Sequence, residues 1–118
     1  MGIAEDDEDF RSILCDILSD NGFIVQEASN GQEALALLVQ AEEPFNLLIT
    51  DFNMPYMNGL ELIEESLKRS VEIDKIIIIS GISTNEKHLD GLLAKYHHIS
   101  FIPKMSGLNK LLDAIRTT

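Results

Sequence analysis

Five residues of this chain could together handle a negatively charged oxygen substrate: Glu5, Asp6, Asp51, Ser80 and Lys104. Each stands where a short apolar run gives out. Glu5 and Asp6 follow "IA", Asp51 follows "LLIT", Ser80 follows "IIII", and Lys104 follows "SFIP". Taken singly, a carboxylate in such a place is a helix cap, a metal ligand or a nucleophile. As a group the carboxylates repel, and each resists ionisation unless a cation offsets the charge. Mg²⁺ suits them, because it prefers oxygen ligands and keeps waters that a phosphate can displace. Lys104 could pair with Asp51 or with a phosphoryl oxygen, and Ser80 could donate a hydrogen bond to one. Carboxylates that accept phosphoryl groups as aspartyl-phosphate are an established class of nucleophile. Phosphoryl transfer needs little beyond positioning and charge neutralisation.

The elements that must bring these residues together alternate between two periodicities. β-prone runs occupy 3–4, 23–25, 47–50, 76–79 and 99–102. Between them, Phe10, Ile13, Leu14, Ile17 and Leu18 form one apolar stripe at helical spacing. Leu35, Leu38 and Val39 repeat the pattern, as do Leu60, Ile63 and Leu67, then Leu108, Leu111, Leu112 and Ile115. A less regular stretch around Leu89, Leu92 and Leu93 supplies a further helix, making five. Asn21-Gly22 is a stop signal for the first helix. Asn30 with Glu33, Asn58 with Glu61, and Ser83 with Glu86 resemble capping boxes. The runs at 47–50 and 76–79 are nearly all apolar, which predicts burial on both faces. Five βα units with right-handed crossovers predict a doubly wound α/β sandwich around a parallel sheet. Ligands of such sheets sit beyond the carboxyl ends of the strands. All five residues fall there.

Composition narrows the setting. A chain of 118 residues, 45% hydrophobic and 25% charged, has the balance of a folded domain rather than a disordered segment. Uninterrupted apolar stretches such as 76–79 are far too short to span a bilayer. No basic segment followed by an apolar run opens the chain, so no signal peptide is read. The single Cys15 forms no intrachain disulfide, and a cytoplasmic location is expected. A net charge of −11 argues against direct binding to nucleic acid and fits a cation or a basic partner.

In order and spacing, "EDDED", "DFNMPYMNG", "IIIISG" and "FIPK" together resemble a response-regulator receiver domain of two-component signalling, of the chemotaxis-regulator type. The resemblance covers essentially the whole chain, residues 1–118, as one domain. It implies the flavodoxin-like strand order 2-1-3-4-5 with five helices. It also implies that Asp51 is the phosphoacceptor and that Glu5 and Asp6 form the acidic Mg²⁺ pair. Asn53 would lend the metal its backbone carbonyl. Ser80 would be the switch hydroxyl, Phe101 the rotating aromatic and Lys104 the phosphate-facing lysine. The implied partners are a sensor histidine kinase or histidine phosphotransfer protein, and a downstream effector. Such a module is a phosphoacceptor with self-catalysed phosphorylation and dephosphorylation rather than an enzyme. Two features depart from the family pattern. Met105 stands where proline usually follows the lysine, and "AKYHHIS" replaces the usual small residues before the fifth strand.

Plainer readings exist for each residue. Asp51 alone could be a turn residue before the Asn53–Pro55 loop. Asp7 and Glu8 read as an acidic helix start, and Cys15 as inert. Phe101 fits a fixed core position as well as a switch. His97 and His98 are adjacent and point apart, which makes a metal pair a poor reading. Two other functions remain open: a receiver-like module that binds partners without phosphorylation, and a phosphohydrolase of the haloacid-dehalogenase type. The latter needs a second Asp two residues beyond the nucleophile, where this chain has Asn53.

Overall fold

β-branched runs that no helix can accommodate comfortably become the centre of the sheet. The computed structural model describes residues 1–42, 45–52, 54, 56–80, 99–103 and 108–116. Five strands, β1 (Gly2–Ala4), β2 (Gln26–Ala28), β3 (Leu48–Asp51), β4 (Ile76–Ser80) and β5 (Ile99–Pro103), form one sheet of order β2-β1-β3-β4-β5. Every pairing is parallel. Among the described residues the helices are α1 (Glu8–Asp20), α2 (Gly31–Gln40), α3 (Gly59–Lys68) and a C-terminal helix (Leu108–Arg116). The expected doubly wound α/β fold is therefore present. The further helix around Leu89 to Leu93, with its Ser83–Glu86 start, lies outside the described residues.

Strand parity divides the core into two layers. Ile76 and Ile78 join Ala4, Leu48 and Ile99 on the face covered by Leu38, Leu62 and Ile63 of α2 and α3. Ile77 and Ile79 join Ile3, Leu47, Ile49 and Ile102 on the face covered by Leu14 and Leu18 of α1 and by Leu111 and Ile115. Because β-strand side chains alternate, an unbroken apolar run fills both layers at once. No described helix is long and apolar enough to cross a membrane.

Three local expectations are corrected. The second strand is Gln26–Ala28 rather than 23–25. After Gly22, at φ +86°, residues 23–25 form a connection in which Phe23 and Val25 pack against the core while Ile24 stays 86% exposed. The ladder forms only where the chain runs beside the three residues of β1, pairing Gly2 with Gln26 and Ala4 with Ala28. Edge position, not apolar content, decides that strand. On α1 the buried stripe narrows to Leu14 and Leu18, leaving Ile13 46% exposed. On α2 the buried residues are Gly31, Ala34 and Leu38, and Val39 faces outward.

Two of the expected helix starts are described. Asn58 and Glu61 make a full reciprocal capping box. Asn30 caps α2 through its side chain, but Glu33 accepts from Ser29 instead.

Candidate functional site

The β1–α1 turn carries the first two carboxylates. Glu5 follows Ala4, and its N–H donates to the Ala28 carbonyl at 3.0 Å, continuing the ladder to β2. The Glu5 carbonyl accepts from Arg11 Nη1 at 2.8 Å. Two residues on, Asp7 Oδ1 accepts from the N–H groups of Asp9 and Phe10 at 3.1 and 3.2 Å, which starts α1. Asp7 is thus spent on the helix, as the sequence suggests. Glu5 is fully buried and Asp6 is exposed.

The third carboxylate ends β3. Asp51 pairs in register with Ile79 of β4 and is only 5% exposed. Three hydrogen bonds fix the backbone of residues 51 and 52. Buried Thr50 donates its hydroxyl to the Asp51 carbonyl at 3.0 Å. The next residue, Phe52, donates its N–H to the Ile79 carbonyl at 2.8 Å and accepts from the Gly59 N–H at 2.8 Å. Gly59 opens α3 directly against this strand end.

Each of Glu5, Asp6 and Asp51 offers a carboxylate oxygen, and these oxygens all lie within 4.8 Å of one another. Two are buried and one opens to solvent. Three hard oxygen donors with one exposed side fit a divalent cation of the Mg²⁺ kind, which keeps waters on its open side. The donor set therefore agrees with the metal that the sequence suggested.

Of the other residues singled out in the sequence, Ser80 ends β4 opposite Pro103 of β5. Its backbone is thus one strand over from Asp51, at the same edge. Phe101 lies in β5 beside Ile78, half-buried against the core layer beneath α2 and α3. Asn53 and Lys104 lie outside the described residues, as does the Ser80 side chain.

Sequence reasoning missed Arg11 and Glu27. Arg11 donates from Nε to Glu27 Oε1 at 3.3 Å while it holds the Glu5 carbonyl. One signal was available: Arg11 is the single cation of an otherwise acidic α1, "EDFRSILCDILSD". On the next turn of the same helix, Cys15 also meets Glu27. Burial first, then the hydrogen bond to Glu27 and its charge, push the Cys15 thiol up to about 12.

A doubly wound parallel sheet with an oxygen-donor cluster at its carboxyl edge defines a class of α/β module that meets a charged ligand at the strand ends. Residues 2–116 match the sequence profile of the family described as response regulator receiver domain. The chain belongs to that family, the receiver domains of two-component signalling. It is 43% identical over 84 residues to the response regulator receiver protein CpdR of Brucella abortus, across 69% of this chain and 65% of that protein. It is 34% identical over 114 residues to a response regulator receiver protein of Anaeromyxobacter, across 94% of this chain and 44% of the relative. The chain thus spans less than two thirds of each. Among solved structures, the response regulator TrrA of Thermotoga maritima, in complex with Mg²⁺-BeF, superposes with a TM-score of 0.79. The two share 25% identity over 98% of this chain and 95% of that one.

Proposed function

We propose that the chain is a Mg²⁺-dependent phosphoacceptor, and that Asp51 takes a phosphoryl group from a histidine kinase or a histidine phosphotransfer protein. A carboxylate oxygen of Asp51 forms the new bond to phosphorus. The donor's P–N bond breaks, and its electron pair returns to the imidazole nitrogen. The observation that carries this reading is the meeting of the Glu5, Asp6 and Asp51 oxygens within 4.8 Å of one another.

Glu5, Asp6 and Asp51, with the Asn53 carbonyl, are the residues that would hold the ion. When bound, the ion neutralises charge that accumulates between acceptor and phosphoryl oxygens. The response regulator TrrA of Thermotoga maritima was solved in complex with Mg²⁺-BeF, which supports the same use here. Lys104 is assigned to a phosphoryl oxygen, Ser80 to the hydroxyl that follows it, and Phe101 to the aromatic that moves in response. The phosphorylated form then alters contact with an effector domain or protein in the cytoplasm. Asn53, standing where a phosphohydrolase would need its acid, speaks against hydrolysis of a separate substrate.

Intact-mass measurement after exposure to a small acyl phosphate tests the reading. Wild type should gain one phosphoryl adduct with Mg²⁺ and none without it, and Asp51→Asn should gain none in either case. Equal labelling of Asp51→Asn overturns the assignment. A folded wild type that never labels turns the reading toward a partner-binding module.

A further inference from the structure

We propose that Arg11 is a positioning residue for the acidic pocket, clamping the Glu5 peptide to the edge strand through Glu27. The inference rests on the metal-binding reading above. Its geometry begins with the shortness of β1 and β2, three residues each. So brief a ladder cannot by itself fix the turn that follows. The Glu5 peptide is nevertheless held at both ends. Its N–H reaches the Ala28 carbonyl of β2, and its carbonyl receives Arg11 Nη1.

The same guanidinium extends Nε to Glu27, the β2 residue in register with Ile3. One planar fork therefore ties the turn, the helix and the edge strand together. Its side chain is only 17% exposed, against 52% for Glu27. Arginine suits this task because its donors hold a fixed relative geometry, which the single ammonium of lysine lacks.

The sign of the effect separates positioning from charge. Arg11 is a cation beside a pocket assigned to another cation. If it acted by charge alone, removing it would tighten Mg²⁺ binding. If it acts by holding Glu5 and Asp6 in place, removing it weakens binding despite the lost repulsion.

The experiment uses Mg²⁺ as the only ligand, with calorimetric titration of wild type, Arg11→Gln and Arg11→Lys. Both variants should bind roughly threefold to tenfold more weakly, the scale of one lost hydrogen bond. Arg11→Lys keeps the charge and the better chance of folding, so it carries the test if Arg11→Gln does not fold. Amide hydrogen exchange on the metal-free protein is the second readout. The Glu5 amide should exchange about tenfold faster in the variants, while Ile49 and Ile77 keep their wild-type rates. Variants that bind Mg²⁺ as tightly as wild type overturn the clamp and leave the metal reading intact. A wild type that binds no Mg²⁺ defeats the metal reading. Exchange at Glu5 then decides whether the clamp exists, and equal rates in all three proteins refute it.

Discussion

Replacing Gly59 with alanine should destabilise the protein and disturb the acidic pocket at once. Gly59 has no need of glycine's conformational range, since Gly22 is the glycine with positive φ among the described residues. Space is what it lacks. A Cβ at Gly59 would fall inside hard contact with the Asp51 carbonyl oxygen, with Phe52 Cα at 3.2 Å and the Asp51 carbonyl carbon at 3.3 Å. All three are backbone atoms of the strand end, so no side chain can rotate to make room. Either the start of α3 slides outward, losing the 2.8 Å bond from the Gly59 N–H to Phe52, or the end of β3 moves. Forced overpacking of this kind costs about 1–3 kcal/mol. At an unobstructed site the same change would stabilise by about 0.4–1 kcal/mol through the unfolded chain. The two cases thus differ in sign. Taking about 4 °C per kcal/mol for a chain of this size, Tm should fall by roughly 4–12 °C. The assay is a thermal melt with and without Mg²⁺, and the gain from Mg²⁺ should shrink if it is the β3 end that yields, because Asp51 then moves with it. Gly22→Ala is the control. With nothing within 4 Å, it should be destabilised only by the strain of alanine in the left-handed region, about 1–2 kcal/mol, and keep its Mg²⁺ response. A Gly59→Ala protein that melts at or above the wild-type temperature refutes the reasoning.

Cys15 should resist thiol reagents in the native protein at neutral pH, since its thiol is pushed from an ordinary 9.0 up to about 12. Between those values the folded state keeps a proton that the unfolded state has released, so this group's contribution to stability falls as pH rises above 9.0. Urea midpoints of wild type and Cys15→Ala should therefore diverge from about pH 8 to about pH 10.5, with wild type losing more, and parallel curves would contradict it. Asn58→Ala should cost about 1 kcal/mol in thermal melts, because both halves of its capping box are formed. Asn30→Ala, which removes a cap without a reciprocal partner, should cost less; the reverse order would show that the boxes do not set these helix starts.

The central strands were plain in the sequence because burial on both faces leaves no polar position to confuse the reading. Ile76 to Ile79 are all at most 2% exposed. The edge strand was not plain. Gln26 and Glu27 face solvent, and only Ala28 of β2 is buried, so the apolar cue pointed three residues too early. Helix existence was legible from period, but which stripe is buried depends on crossing geometry, as Ala34 inward and Val39 outward show. The carboxylate cluster was legible because it needs only strand ends and parallel order. The Arg11 clamp was not, since nothing in residue spacing pairs a helix residue with a particular edge-strand acid.

The position of the site follows from the same burial that made the strands legible. Within β3 and β4 every apolar side chain faces a helix layer, and a charge there would meet no partner and no water. The first place a charge can be tolerated is the strand end, where helix N-termini begin and solvent enters. Asp51 and Glu5 occupy such ends, yet they are 5% and 0% exposed. The fold thus keeps two acids at nearly core-like burial within reach of exposed Asp6. Stability alone would not select that arrangement, because like charges in low dielectric oppose folding. A cation held there, as proposed above, would relieve the opposition only in the folded chain, where the three oxygens converge, and binding would then reinforce folding.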